Sequence, residues 1–345
     1  AVAMTTRFRT TLVSAAASAL LLPFLAALAG AAPASASSPR PHVVAMYKVE
    51  KHVDLSGEFP DNAIETTLSC SGGDYVLDGM WRVDHVDQAN PPETTGDERD
   101  VYVNASYGDA TDTSQWHYRI TNYADGDAQL KLFLTCIRGQ VEQAYNHAHG
   151  VVLSGQYFNV ALPLVAGGQE LNFPATCNAG EVAVAPGFSL ADNDHKVRVY
   201  RSLARSAFRS WRWAFYAVDP GVGLTTTMRC LQVKTTPGGN GPHAHNLMWA
   251  GRPWGDQLVG QWLDVVGAQE RRIACDDGAD GRYYQDYKAM VASFYLGDPT
   301  HEWFLGMDPR PKQRAYKFWW DGGGDNAAYL NVLCIRTKTG KQIAP

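Results

Sequence analysis

The residues whose type and spacing most directly suggest chemistry are histidines. His147 and His149 flank Ala148, and His243 and His245 flank Ala244. Residues i and i+2 of an extended chain point to one face, so each His-Ala-His pair offers two imidazoles to one ion. Neutral imidazole nitrogen suits Zn²⁺ or Cu²⁺, but a closed site needs more than two ligands. The plainer reading makes the same histidines polar residues at a chain junction. A second candidate is the loop "CDDGADG", where Asp276, Asp277 and Asp280 lie among glycines. Oxygen-rich loops of this kind can hold Ca²⁺. It lacks the distal glutamate of a helix–loop–helix calcium site, because the twelfth residue from Asp276 is Tyr287. No cofactor is expected beyond an ion of this sort, with Zn, Cu or Ca as the candidates.

Signatures of catalysis are sparse. "HEWFL" at His301 lacks the second histidine of a zinc protease. The chain has no Gly-x-Ser-x-Gly elbow and no phosphate loop. A Ser-His-Asp group can assemble from distant residues, so a secreted hydrolase with its site at a module interface stays open as an alternative. Aromatic residues offer a different chemistry. Six of the ten tryptophans fall after residue 244. Trp249, Trp254 and Trp319 have no counterpart elsewhere in the chain. They are the candidates for a surface that stacks on a glycan or anchors a protein; burial in a core is the ordinary fate of such residues.

The start of the chain reads as an export signal. Arg7 and Arg9 precede an apolar stretch from Leu12 to Ala32, followed by "APASAS". Residues 1–36 are therefore expected to be a secretory signal peptide, with an uncleaved anchor as the alternative. Without them the chain keeps 28 basic against 35 acidic side chains, a formal charge of −7. That balance provides no footprint for nucleic acid or an anionic membrane. No later run reaches membrane-spanning length, so no membrane span is expected in the mature chain. Cys70, Cys136, Cys177, Cys230, Cys275 and Cys334 all follow the leader, an even set in an exported chain.

Repetition orders these cysteines. "CSGGDYVLDGM", "CNAGEVAVAPGF" and "CDDGADGRYY" follow alternate cysteines, while "LFLTCIRG", "TTMRCLQVKT" and "LNVLCIRTKT" surround the others. A serine and a tryptophan recur between them: Ser106 and Trp116, Ser202 and Trp211, Ser293 and Trp303. On that alignment the interval from tryptophan to second cysteine is 20, 19 and 31 residues, which places an insertion in the third copy near "DPRPKQR" or "DGGGDN". The recurrence makes these three tryptophans core residues. Upstream, His42, His149 and His245 precede the first cysteines by 28, 28 and 30 residues. The chain thus divides into modules at 42–148, 149–244 and 245–345. The pairing that follows is 70–136, 177–230 and 275–334, one bridge per module. Each bridge closes a loop worth roughly 4 kcal/mol of chain entropy.

Segments such as "VYVNAS", "KLFLTCI" and "WRWAFYAV" are rich in β-branched and aromatic residues and are separated by Gly, Pro, Asn and Asp clusters. "RSLARSAF" alone could be a short helix. The expected fold is all-β, three tandem antiparallel β-sandwich modules, each with one internal disulfide. The module resembles a class of exported bacterial repeats with a Cys-x-x-Gly start, a central Ser…Trp and a terminal cysteine strand. That resemblance covers most of the chain after the leader and implies export and a β fold; it carries no activity. The leading expectation is a secreted, non-catalytic binding or structural protein acting on glycan, envelope or a cell-surface protein. Self-association through strand edges is a further option. A metal-binding protein built on the His-Ala-His pairs is the remaining alternative.

Overall fold

The computed structural model describes residues 42–345 except 57–62, 88–96, 125, 142–146, 162, 194, 206–207, 239–242, 248–258, 265–268, 276–286, 323–326, 337, 339–341 and 344–345. The expected leader, Trp249, Trp254 and the loop of Asp276, Asp277 and Asp280 lie outside the described residues. Among those described there is no α-helix, only strands and two single-turn 3-10 segments.

The first segment contributes β1 (Met46–Leu55), β2 (Ala63–Ser69), β3 (Tyr75–Asp87), β4 (Val101–Gly108), β5 (Gln115–Asn122) and β6 (Asp127–Ile137). The second contributes β7 (Tyr157–Ala161), β8 (Gly167–Asn172), β9 (Glu181–Leu190), β10 (Val197–Arg205), β11 (Ser210–Ala217) and β12 (Leu224–Gln232). After the two-residue β13 (Ala244–His245), the third contributes β14 (Val259–Asp264), β15 (Gln269–Ala274), β16 (Tyr287–Tyr295), β17 (Glu302–Arg310), β18 (Ala315–Gly322) and β19 (Ala327–Arg336). A short β20 (Gln342–Ile343) pairs with β13. "RSLARSAF" is no helix: its first residues belong to β10, whose alternating Val197 and Val199 are buried.

The modules are not self-contained sandwiches. The three six-stranded sheets run β1-β6-β3-β17-β18-β15, β2-β5-β4-β9-β12-β7 and β14-β19-β16-β10-β11-β8. Each takes three strands from one module and three from the next. The fourth strand of a module pairs antiparallel with the third strand of its neighbour: β4 with β9, β10 with β16, and β17 with β3. The last pairing returns the third module to the first, so the arrangement closes. The same closure appears in isolated bridges, where Gly150 meets Gln140, Asn246 meets Lys234 and Val43 meets Lys338. The three disulfides follow the pairing read from the repeats, Cys70–Cys136, Cys177–Cys230 and Cys275–Cys334. Each ties the end of the first cysteine's segment to the sixth strand of the same module, across the two sheets that the module feeds.

Strand register corrects the repeat alignment. Backbone N–H groups of Cys70, Cys177 and Cys275 donate to the carbonyls of Ser114, Arg209 and Arg314. Two residues further on lie Trp116, Trp211 and Tyr316, all fully buried. The third counterpart is therefore Tyr316, and Trp303 sits on β17 instead of β18. Likewise Ser106 pairs across its hairpin with Tyr118, Ser202 with Trp213, and Met307 with Phe318. Met307, not Ser293, is the third partner. The interval from aromatic residue to second cysteine then becomes 18 residues, and the expected insertion disappears.

This aromatic position organises the interior. Trp116 Nε1 donates to Ser106 Oγ at 3.0 Å, and Trp211 Nε1 donates to Ser202 Oγ at 2.9 Å. Ser106 in turn donates to the carbonyl of Gly79 at 3.2 Å. The Trp116 indole lies so close to Gly79 that a Cβ there would fall 2.0 Å from Trp116 Cε2. In the third module Tyr316 places its hydroxyl 2.6 Å from Thr135 Oγ1 and donates to Asp78 Oδ2 at 3.3 Å. Asp78 also accepts the Ala292 N–H at 2.9 Å and is wholly buried. Burial pushes its carboxyl well above the usual range, against the opposing pull of the Ala292 N–H and the Tyr316 hydroxyl.

Two outcomes follow. Gly79→Ala must displace the indole or the backbone, and overpacking of this kind costs about 3 kcal/mol; urea unfolding at neutral pH measures it. Because folding raises the Asp78 pKa, its favourable contribution is complete in acid and is lost as pH rises above the ordinary carboxylate value. Asp78→Asn, which keeps an acceptor for Ala292, should raise the unfolding midpoint at pH 7.5 by an amount that shrinks toward pH 4. A lower midpoint at pH 7.5 would contradict this account.

Candidate metal centre

Module starts and module ends supply the site. Each module's last strand runs on past its second cysteine and bridges the start of the next module four residues later, at Gln140, Lys234 and Lys338. The residues before the bridged positions Val43, Gly150 and Asn246 are His42, His149 and His245. These three occupy one position of the repeat, and the closed arrangement brings them together. Their rings stand 4.7 Å apart for His42–His149, 4.8 Å for His42–His245 and 4.8 Å for His149–His245. All three are buried, at 2 %, 1 % and 5 % exposure.

Both His-Ala-His pairs converge on the same point. His243 lies 4.8 Å from His149 and 5.2 Å from His245, ring to ring. His147 lies 4.9 Å from His42, 5.0 Å from His149 and 5.1 Å from His243. Five imidazoles thus form one cluster. One nitrogen from each of His42, His149, His243 and His245 lies within 4.8 Å of the others. Zn–N bonds of about 2.0–2.1 Å would place tetrahedral donors roughly 3.4 Å apart, so each ring need move inward by only about 1 Å.

The surrounding backbone sets His149 for such a role. Its Nδ1 lies 2.9 Å from the carbonyl oxygen of Thr236. A carbonyl only accepts, so Nδ1 carries the proton and Nε2 carries the lone pair. Nε2 is buried and has no hydrogen-bond partner among the described residues. Burial, the largest influence, lowers the His149 pKa; the Thr236 carbonyl opposes this, and the neighbouring His245, His42 and His243 add to it. The imidazole is therefore neutral, the form that binds metal. The segment carrying Thr236 approaches so closely that a Cβ on Gly238 would lie 2.8 Å from the Ala148 carbonyl and 3.2 Å from His149 Nδ1. Backbone bonds complete the frame: His245 N–H donates to Thr235 Oγ1 at 2.9 Å, and Val141 N–H donates to the His149 carbonyl at 3.0 Å. A depression of about 640 Å³ is lined by Asp74, Val141 and Ala148 among others, the last being the residue between His147 and His149.

The other candidates fare differently. Trp319 is partly buried on the outer side of β18. Arg82 lies 4.4 Å and Lys317 5.0 Å from its ring centre, and its Nε1 donates to Glu270 at 3.2 Å. Its ring is therefore occupied by neighbouring side chains of the sheet. Cys177, Cys230 and Glu181 lie close together, but the two sulfurs are bonded to each other and have no thiolate to offer. Asn104, which begins the Asn-Ala-Ser pattern of a glycosylation acceptor, is buried, with its Nδ2 donating to Thr121 Oγ1 at 2.8 Å. The sequence singled out both histidine pairs and His42 separately; their convergence depends on closure between the third and first modules, which no local pattern encodes. Among the described residues no helix is long and apolar enough to cross a membrane. No protein-family model matches this chain, and no curated protein matches it significantly, so the geometry of the site carries the functional reading.

Proposed function

We propose that this chain is an exported, disulfide-stapled β-protein whose function is to bind a late first-row transition ion at the imidazole cluster. The observation that carries this reading is the convergence of His42, His149, His243 and His245, with His149 Nε2 buried and left as the lone-pair nitrogen by the Nδ1 contact to the Thr236 carbonyl. Three disulfides support a location outside the reducing cytoplasm. An all-nitrogen donor set favours Cu²⁺, Zn²⁺ or Ni²⁺ over Ca²⁺ and Mg²⁺, which prefer oxygen. Among the late ions the expected order places Cu²⁺ above Zn²⁺ and Ni²⁺. The broader expectation of a non-catalytic binding protein is thereby narrowed to an ion as the first ligand. His147 stands ready as a fifth nitrogen beside the four.

Calorimetric titration of chelator-treated protein at pH 7.5 tests this. One equivalent of Cu²⁺ or Zn²⁺ should bind per chain, with no uptake of Ca²⁺ or Mg²⁺. His149→Gln should weaken binding by about 100-fold, since it removes the nitrogen whose tautomer Thr236 holds. Failure of all three late ions to bind stoichiometrically would remove the reading. Uptake should also decline in acid, because protons compete with the ion for imidazole nitrogen. At a free ion concentration a hundred times Kd, bound metal should stabilise the fold by about 2.7 kcal/mol. A thermal midpoint unchanged by saturating Zn²⁺ would place the ion somewhere other than in the folded cluster.

A further inference from the structure

The five imidazoles have an ordered arrangement. His149 lies 4.7 Å from His42, 5.0 Å from His147, 4.8 Å from His243 and 4.8 Å from His245, ring centre to ring centre. The other four follow one another around it. His42 to His147 is 4.9 Å, His147 to His243 is 5.1 Å, His243 to His245 is 5.2 Å, and His245 back to His42 is 4.8 Å. These eight separations match the eight edges of a four-sided pyramid with His149 at its apex. A regular pyramid with edges of about 4.9 Å has a base centre about 3.5 Å from all five corners. An ion bonded to a ring nitrogen at about 2.1 Å lies roughly 3.2 Å from the ring centre. Nitrogens of His42 and His243, at opposite corners of the base, come within 4.8 Å of each other. Two bonds of about 2.1 Å in line would set them about 4.2 Å apart. The rings therefore stand at nearly the spacing of five ligands around one ion.

The repeat accounts for this geometry. His42, His149 and His245 occupy one repeat position, and their rings form a triangle. His147 and His243 each stand two residues before a member of that triangle. They form a second layer, with His147 against His42 and His149, and His243 against His149 and His245. Two staggered triangles about one axis are opposite faces of an octahedron, so six repeat positions would fill its six corners. Only five of them are histidines, because the residue two before His42 is Arg40. The corner without an imidazole is the one opposite His149. It is bordered by His147 and His243, the two rings of the five that are only half-buried. Although His147 is half-buried, its Nε2 is buried, so that nitrogen is turned inward.

Resting on the metal reading above, we propose that His147 is a fifth ligand, and that the sixth position of the ion, opposite His149, is open to water or a small anion. The chain then selects among ions by ligand number as well as by ligand type. Zn²⁺ is satisfied by four tetrahedral donors, so a fifth nitrogen adds little to its binding. Cu²⁺ and Ni²⁺ accept tetragonal surroundings, in which four basal donors and an axial one all bind. His147 thus favours Cu²⁺ and Ni²⁺ over Zn²⁺ beyond the preference that the other four rings provide.

Visible absorption of the full chain loaded with Co²⁺ counts the ligands, because four-coordinate Co²⁺ absorbs strongly and five- or six-coordinate Co²⁺ weakly. The unaltered chain should give the weak spectrum, and azide should shift it saturably by entering the open position. His147→Phe should convert it to the intense form. In competition titrations the same variant should lose Ni²⁺ affinity by at least about tenfold, the loss that removing even an outer partner of a ligand produces, with Zn²⁺ affinity little changed. Circular dichroism checks that the variant folds; if it does not, the spectrum and azide response of the unaltered chain still decide. An intense Co²⁺ spectrum in the unaltered chain, or no response to azide, would overturn the proposal and leave the metal reading intact. Equal loss of Ni²⁺ and Zn²⁺ affinity in folded His147→Phe would overturn it in the same way. No uptake of Co²⁺, Ni²⁺, Cu²⁺ or Zn²⁺ would remove the metal reading itself, and this proposal with it.

Discussion

The described residues depend on one pairing rule: the fourth strand of each module hydrogen-bonds to the third strand of the next. A three-stranded half-sheet leaves an edge of unsatisfied N–H and C=O groups, and burying such an edge unpaired is costly. Here each half-sheet finds its complement on the neighbouring module, and the third finds it on the first. No module can satisfy its interior edges alone. The interior reflects this sharing, because Asp78 of the first module accepts hydrogen bonds from Ala292 and Tyr316 of the third. The disulfides work on a different seam. Each lies within a module and ties the two sheets that the module feeds, so covalent and hydrogen-bonded closure complement each other.

Cyclic closure also explains where chemistry gathers. Equivalent positions of a tandem repeat are about a hundred residues apart in sequence, but closure brings them to within a side chain's length of one another. At one end, a repeated histidine yields three imidazoles, and the two His-Ala-His pairs add two more. At the other end the repeated position has diverged into Tyr102, Arg198 and Trp303 around a cavity. The first case suits a ligand with high symmetry, such as an ion.

The chain's central aromatic position shows how far local pattern reaches. Trp116 and Trp211 share their environment down to the serine that accepts the indole N–H. In the third module a tyrosine and a methionine fill the same two places, and the tyrosine hydroxyl reaches across to Thr135 and Asp78 instead. Matching residue types drew Trp303 and Ser293 into the alignment, whereas matching register assigns Tyr316 and Met307. Packing conserves volume and shape more closely than residue type, so a search for identical letters overlooked the substitution.

The sequence by itself determined the strand-rich character, the three repeats and the cysteine pairing. Those follow from local alternation, turn residues and spacing, which need no knowledge of partners in space. It also marked His147, His149, His243 and His245 as candidates for a metal, beside the plainer reading as junction residues, and it aligned His42, His149 and His245 as module starts. Tertiary structure alone decided that these side chains form one cluster, because hydrogen bonding between half-sheets sets which module lies beside which. It likewise replaced separate sandwiches with shared sheets, since the edge that each module leaves open is paired only by another module. The cavity at Trp303 was invisible in sequence for the same reason: its lining comes from three strand starts that meet only when the chain has closed on itself.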